Sequence, residues 1–243
     1  MKILVVNDDG IKAEGISHLV KWAKGIGDVT VVAPKGQQSG KSQSLRIHDS
    51  FEIRKVEYPG AKEAWSVDST PADCVRFAFD ILGHFDLVLS GVNWGFNIGD
   101  DVAYSGTCGA MLEAAFWRAK GIAFSCSFNS FLSFPENIHR IWDFFQEKKL
   151  LDKNDLWNVN VPDTVKGIKI TRQGRAYVQD HFIQKEGDLW TQKGYMAYRK
   201  GEAKDTDIEA VEELDLVSIT PMRCDRTEMD LYVKMKDEGI LFQ

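Results

Sequence analysis

The first ten residues, Met1-Lys2-Ile3-Leu4-Val5-Val6-Asn7-Asp8-Asp9-Gly10, decide how the rest of the chain is read. Ile3 to Val6 is an unbroken run of strand formers with no polar alternation, as expected of a parallel strand covered on both faces. It stops at Asn, Asp, Asp and Gly, all turn formers. The two carboxylates therefore fall just past the carboxyl end of a buried strand, where open α/β sheets place their ligands. Taken alone, Asp8 as a helix cap and Asp9-Gly10 as an ordinary turn explain the same residues, so other stretches must decide.

Working outward, Ile16, Leu19, Val20, Ala23 and Ile26 recur at helical spacing, which predicts a helix over 14–26. Val29 to Ala33 reads as a second buried strand, leaving through Pro34 into the polar loop Lys35 to Ser44 (KGQQSGKSQS). Residues 45–67 carry short alternating pieces that suggest minor strands. Thr70-Pro71 opens a helix running through Leu82, with Thr70 as N-cap and Pro71 at the first helical position. Leu87-Val88-Leu89 is the next strand. Its exit, Ser90 to Gly106, is long and rich in Gly and Asn, and delivers the chain to a helix from Thr107 to about Lys120. A strand at 122–125 and a helix around 138–145 continue the alternation. The predicted fold is α/β: a Rossmann-like, doubly wound, mostly parallel sheet over 1–150. A β-rich continuation with a hairpin arm follows over 151–225, and a polar tail over 226–243. Glu202 to Asp207 reads as charged and exposed. The anchors of the tail, Leu231, Val233, Ile240, Leu241 and Phe242, cannot bury one another and suggest docking on a partner subunit.

The 243 residues suffice for a sizeable core, and 30 basic against 36 acidic side chains give a net charge of -6 with no basic stripe. That argues against a nucleic-acid polymer or an anionic membrane as partner. No apolar stretch approaches about 18 residues, so a soluble, cytoplasmic protein is expected. Cys74, Cys108, Cys126 and Cys224 form no Cys-x-x-Cys pair and are expected as reduced thiols.

The loops after three strands bring oxygen donors only: Asp8 and Asp9, then Ser39, Ser42 and Ser44, then Asn93, Asn97 and Ser105. Such a set suits Mg²⁺ or Mn²⁺ better than Zn²⁺ or Cu²⁺. Ser105-Gly106-Thr107 at a helix start offers backbone N–H groups and the positive end of a helix dipole to a phosphate. Each piece has an ordinary reading as a turn or cap; their convergence favours phosphoryl chemistry. Lys35 to Ser42 misses the P-loop spacing, Gly91, Gly95 and Gly99 miss the dinucleotide fingerprint, and the five histidines form no ligand pair. Cys108, near a helix N-terminus, is a candidate for a lowered pKa, but has no Arg six positions on. Trp94 and Phe96 are read equally as base-stacking or as core residues.

These residues resemble the SurE (survival protein) family of metal-dependent 5′/3′-nucleotidases. The likeness lies in Asn7-Asp8-Asp9-Gly10, in Ala33-Pro34 with Gln38-Ser39-Gly40, in Thr70 to Val75, in Ser90-Gly91-Val92-Asn93 with Gly95, Asn97 and Gly99, and in Tyr104 to Thr107. It continues weakly through Asn158 to Pro162, Thr171-Arg172-Gln173 and Val217 to Pro221. The resemblance implies one divalent metal ion per subunit held by Asp8, Asp9, Ser39 and Asn93, with Ser105, Gly106, Thr107 and Asn97 at the substrate phosphate. It implies hydrolysis of nucleoside 5′- and 3′-monophosphates, a side activity on short polyphosphate, and homodimers or homotetramers that exchange carboxyl-terminal segments. Asp8 and Asp9 are the expected catalytic residues. Attack by water is preferred to an aspartyl-phosphate on Asp8, because the aspartates are adjacent rather than spaced Asp-x-Asp. Ser69, Gln43 and Lys120-Gly121 depart from the family pattern. The rival readings are a P-loop-like NTPase using Lys41 and a non-catalytic, metal-dependent nucleotide-binding protein.

Overall fold

A computed structural model describes residues 1–175, 178–201 and 204–239. Its centre is a nine-stranded sheet in the order β3-β4-β2-β1-β5-β6-β7-β11-β8. The strands are β1 (Lys2–Val6), β2 (Asp28–Pro34), β3 (Ile53–Val56), β4 (Glu63–Val67), β5 (Leu87–Trp94), β6 (Lys120–Cys126), β7 (Leu156–Val161), β8 (Gly167–Ile170) and β11 (Leu216–Met222). The six from β4 to β7 run parallel. β3 and β11 are antiparallel to β4 and β7, and β8 lies parallel to β11. β9 (Val178–Gln184) and β10 (Trp190–Met196) form a separate antiparallel hairpin.

Successive side chains of β1 serve opposite faces of the sheet. Ile3 and Val5 join the core under α1 (Glu14–Ala23) and α4 (Ser133–Glu147), while Leu4 and Val6 join the core under α2 (Pro71–Phe77) and α3 (Gly106–Ala114). Burial on both sides explains the missing polar alternation. The winding runs from β1 outward through β2 to β4, then returns to the other side of β1 for β5, β6 and β7. The order therefore reverses between β1 and β5, and the crevice of a doubly wound sheet opens at that switch point. The loops leaving β1 and β5 are Asn7 to Gly10 and the segment from Gly95 onward.

The helix expected over 14–26 ends at Ala23, and the one expected from Thr107 to Lys120 spans Gly106–Ala114 before a short tighter turn. Among the described residues no helix is long and apolar enough to cross a membrane. Of the tail anchors, Leu231 and Val233 lie exposed on α7 (Met229–Asp237), and Ile240, Leu241 and Phe242 lie outside the described residues.

One expectation is overturned. Thr206 and Asp207, read as part of an exposed charged stretch, are buried. Asp207 opens α6 (Asp207–Glu212), and its carboxylate accepts the N–H groups of Gly174 (2.7 Å), Ile208 (2.9 Å) and Gly99 (3.0 Å). Burial pushes its carboxyl above the usual range, and those same N–H groups draw it back. A buried carboxylate is tolerated because it satisfies donors that would otherwise be stranded. Asp207→Ala strands three buried N–H groups and is expected to cost about 3 kcal/mol, at 1 kcal/mol or more for each unsatisfied donor. Urea unfolding of the variant beside Asp207→Asn checks this; equal stability of Asp207→Ala and the parent would refute it.

Candidate active site at the switch of the sheet

The acidic turn is built by its own side chains. Asn7 Nδ2 donates to the carbonyl of Gly10 (2.9 Å), and Gly10 N–H donates back to Asn7 Oδ1 (3.2 Å). Gly10 sits at φ +103°, and a Cβ there would meet the backbone of Gly36 at 3.2 Å, so both the turn and its neighbour demand glycine. The serine loop is tied alongside: Ile11 N–H donates to the carbonyl of Pro34 (2.8 Å) and Gln38 N–H to that of Asp8 (2.6 Å).

Asp8 is 4 % exposed, and its Oδ1 accepts the hydroxyl of Thr107, itself wholly buried, at 2.5 Å. Burial pushes the Asp8 carboxyl up to about 6; the Thr107 hydroxyl lowers it and the charge of Asp9 raises it. Asp9 is also raised by burial, although it is more open and accepts Trp94 N–H at 3.4 Å. The Asn93 amide is turned by its own loop, because its Nδ2 donates to the carbonyl of Gly95 (2.8 Å) and its Oδ1 faces Thr107 Oγ1 at 3.4 Å. Ser39 is exposed, and its Oγ accepts Gln37 Nε2 at 3.0 Å.

Asp8, Asp9, Ser39, Asn93, Asn97 and Ser105 all line one cleft of about 290 Å³. Gly106 and Thr107 are buried behind its wall. Ser105, which lines the cleft, caps α3 by accepting Cys108 N–H (3.0 Å), so the positive end of the helix begins at the cleft wall. Asn97 is held by a polar network. Its N–H donates to Asn160 Oδ1 (2.9 Å) and its Nδ2 to Ser125 (2.8 Å), while its carbonyl accepts the side-chain amides of Asn158 (2.8 Å) and Asn160 (3.1 Å).

The donor set fits a hard divalent cation. Among the described residues no ion pair includes Asp8 or Asp9, and no group of three or more His, Cys, Asp or Glu side chains converges. Two adjacent carboxylates without a protein cation among the described residues, joined in the cleft by the Asn93 amide and the Ser39 hydroxyl, leave charge for an oxygen-seeking ion to neutralise. The Cys108 thiol, a candidate for activation, is instead pushed up to about 12 by burial, so it supplies no nucleophile. The Lys35 to Ser44 loop opens no helix, the next one beginning at Pro71, so a P-loop cradle does not form. The departures have structural partners: Gln43 donates to the buried Glu113 (2.8 Å), which also binds Arg76 (2.7 Å), and the Ser69 hydroxyl donates to Asp73 (2.5 Å).

The cleft also holds Tyr104, from the motif that ends at Thr107, and Gln37, Asp101 and Phe128, which the sequence motifs do not single out. Asp101 is pushed up to about 6 by burial and by the nearby charges of Asp180, on the hairpin, and Asp100. The Asn158-x-Asn160 pair on a fully buried strand is the signal that could have revealed the network around Asn97, since a buried strand carries amides only where partners await them.

The family model described as Survival protein SurE matches residues 3–180. The 5′-nucleotidase SurE of Syntrophomonas wolfei is 35% identical over 247 residues, covering 95% of this chain and 92% of that protein. The protein of the same name from Thermoanaerobacter sp. is 34% identical over 242 residues, covering 95% of each chain. The crystal structure of SurE protein from Aquifex aeolicus is similar with a TM-score of 0.78 at 30% identity, covering 99% of this chain and 100% of that one.

Proposed function

The chain belongs to the survival protein SurE family, and from that membership we propose that it is a divalent-metal-dependent phosphomonoesterase that hydrolyses nucleoside 5′-monophosphates; its relatives carry the name 5′-nucleotidase. The observation that carries this reading is the pair Asp8–Asp9, without an ion-pair partner among the described residues, in the same cleft as the α3 cap Ser105. Mg²⁺ or Mn²⁺, one per subunit, fits the residues that would hold it: Asp8, Asp9, Ser39 and Asn93. When bound, such an ion supplies Lewis-acid neutralisation of the phosphoryl oxygens and lowers the pKa of a water. The protein's own groups do the rest. Thr107 locks Asp8 in one orientation, and the Ser105 hydroxyl with the first-turn amides of α3 holds the phosphate and receives its equatorial charge. Asp9, the more open carboxylate, takes the proton of the attacking water. The network that fixes Asn97 in the same cleft supports a role for it at the substrate phosphate.

Phosphate release from a panel of 5′- and 3′-monophosphates and a short polyphosphate, with Mg²⁺ or Mn²⁺ and with chelator, tests this. Release is expected from the monophosphates and is expected to vanish with chelator. A folded, metal-supplied protein that releases nothing, or release indifferent to chelator, would sink the reading; binding without release would favour a nucleotide-binding role.

Two elements standing apart from the sheet expose apolar side chains: Phe182 and Trp190 on the hairpin, Leu231, Tyr232 and Val233 on α7. Exposed apolar surface of this kind supports homo-oligomerisation, as a dimer or tetramer, through the hairpin arm of 151–225 and the tail of 226–243, with 1–150 as the catalytic core. A cytoplasmic location agrees with the four free cysteines, of which Cys74, Cys108 and Cys126 are buried.

A further inference from the structure

Three aromatic side chains stand around the mouth of the Asp8–Asp9 cleft: Trp94 (41 % exposed), Tyr104 (66 %) and Phe128 (68 %). They are not equivalent. Trp94 already presents its ring to Phe131, with centroids 4.8 Å apart in an edge arrangement. Phe96, the other aromatic in this wall, packs against the small core of Ile98, Ile208 and Val211. Phe128 is different because its loop is pinned on both sides while its ring stays open. The Ser127 hydroxyl donates to Asp163, Asn129 Nδ2 donates to the same carboxylate at 2.5 Å, and Asn129 N–H donates to Ser127 Oγ at 3.2 Å. The tip of the ring lies over Gly95. A Cβ on Gly95 would stand 2.3 Å from Phe128 Cζ, and Gly95 adopts φ +104°. An exposed aromatic ring whose tip lies against a bare Cα, on a loop held by two hydrogen-bonded neighbours, has less freedom to give up when a ligand arrives.

We propose that Phe128, seated on Gly95 at the mouth of the cleft, is the stacking platform for the base of the substrate and favours purine over pyrimidine nucleotides. The proposal rests on the nucleotidase reading and adds the recognition of the base to it. A ring with an open π face in the same cleft as the phosphate-binding groups takes a flat aromatic partner, and the gain rises with the area stacked. A bicyclic base covers the platform more fully than a monocyclic one. Stacking acts on bound substrate and transition state alike, so it lowers KM and leaves kcat.

The test compares the parent with Phe128→Ala, Phe128→Leu and Phe128→Trp on 5′-AMP, 5′-UMP and glycerol 2-phosphate, with Mg²⁺ or Mn²⁺ present. Phe128→Ala is expected to raise KM for 5′-AMP about 10-fold, to raise it less for 5′-UMP, and to leave kcat and the values for glycerol 2-phosphate unchanged. Phe128→Trp is expected to retain the parental KM, whereas Phe128→Leu, apolar but without a π face, is not. An unchanged KM for 5′-AMP, an equal loss on glycerol 2-phosphate, or full retention by Phe128→Leu would overturn the platform. Light scattering on the same variants identifies the contrary case of a subunit contact, in which Phe128→Ala dissociates the protein and impairs all substrates alike. Saturation-transfer NMR with adenosine, which has no phosphate, separates this proposal from the activity. A signal lost in Phe128→Ala sustains the platform even if the parent releases no phosphate. A signal unchanged by the substitution refutes it even if the parent is an active nucleotidase.

Discussion

Replacing Asp8 by Asn is expected to lower kcat/KM for nucleoside monophosphates by at least about 10³-fold while the protein remains folded. The two side chains have nearly the same shape, and the Thr107 hydroxyl, which donates to Asp8 Oδ1 at 2.5 Å, can donate equally to an amide oxygen. What changes is charge. Loss of one carboxylate from a pair that no protein cation balances halves the negative charge offered to a divalent ion, and several kcal/mol of transition-state stabilisation go with it at 1.36 kcal/mol per tenfold in rate. Burial is also why the protein tolerates the change. Keeping a carboxylate at 4 % exposure beside Asp9 raises its carboxyl to about 6, a sign that the ionised form is disfavoured there. In chelator near neutral pH the variant is therefore expected to melt no lower than the parent. Phosphate release, read beside thermal melts with chelator and with Mn²⁺, checks both halves. Activity retained within tenfold would remove Asp8 from the catalytic machinery; a large drop in melting temperature would make it a structural residue.

Gly106→Ala is expected to lower kcat/KM about 10²-fold and to cost 1–3 kcal/mol of stability, although Ala is the better helix former. An Ala Cβ at this position would stand 2.8 Å from Asp8 Cβ, 3.0 Å from Asp8 Oδ2 and 3.2 Å from Pro71 Cγ. Asp8 cannot swing away freely, because it is buried and bound to Thr107 from the next residue of the same helix. The substitution thus pushes the carboxylate out of register with the α3 terminus, and a displacement of about 1 Å at a catalytic group is worth about 10² in rate. Gly36→Ala is the control: no atom lies within 4 Å of its Cβ, so neither activity nor stability should move, although Gly36 neighbours the same turn. Kinetics and urea unfolding of both variants decide the matter. If Gly106→Ala behaves like Gly36→Ala, the close approach of α3 to Asp8 is not needed for the reaction.

The alternation of buried strands and amphipathic helices is a local property of spacing, so β1, β2, β5, β6 and the helices α1 to α4 are legible from residues alone, as is the placement of Asp8-Asp9 at the exit of a buried strand. The oxygen character of the donors is equally local, being written in residue type. Other features depend on contacts between segments far apart in the chain, which no periodicity encodes. Asp207 looks like the end of a charged surface stretch until Gly99 and Gly174, 108 and 33 residues away, bring their N–H groups to it. Thr107 looks like a phosphate contact or cap until the winding of β1 and β5 sets its hydroxyl on Asp8, 99 residues earlier. Cys108 has the helix-start position of an activated thiol, but complete burial reverses the direction of its pKa. Phe128 carries no motif, because its role depends on the ring lying over Gly95. Hydrophobic period and residue type act over a few residues, and so the order of the elements and the chemistry of the donors can be read along the chain. Which donors face the cleft, which support others from behind and which are buried cannot be so read, because burial and long-range hydrogen bonds exist only once the sheet has formed around the switch between β1 and β5.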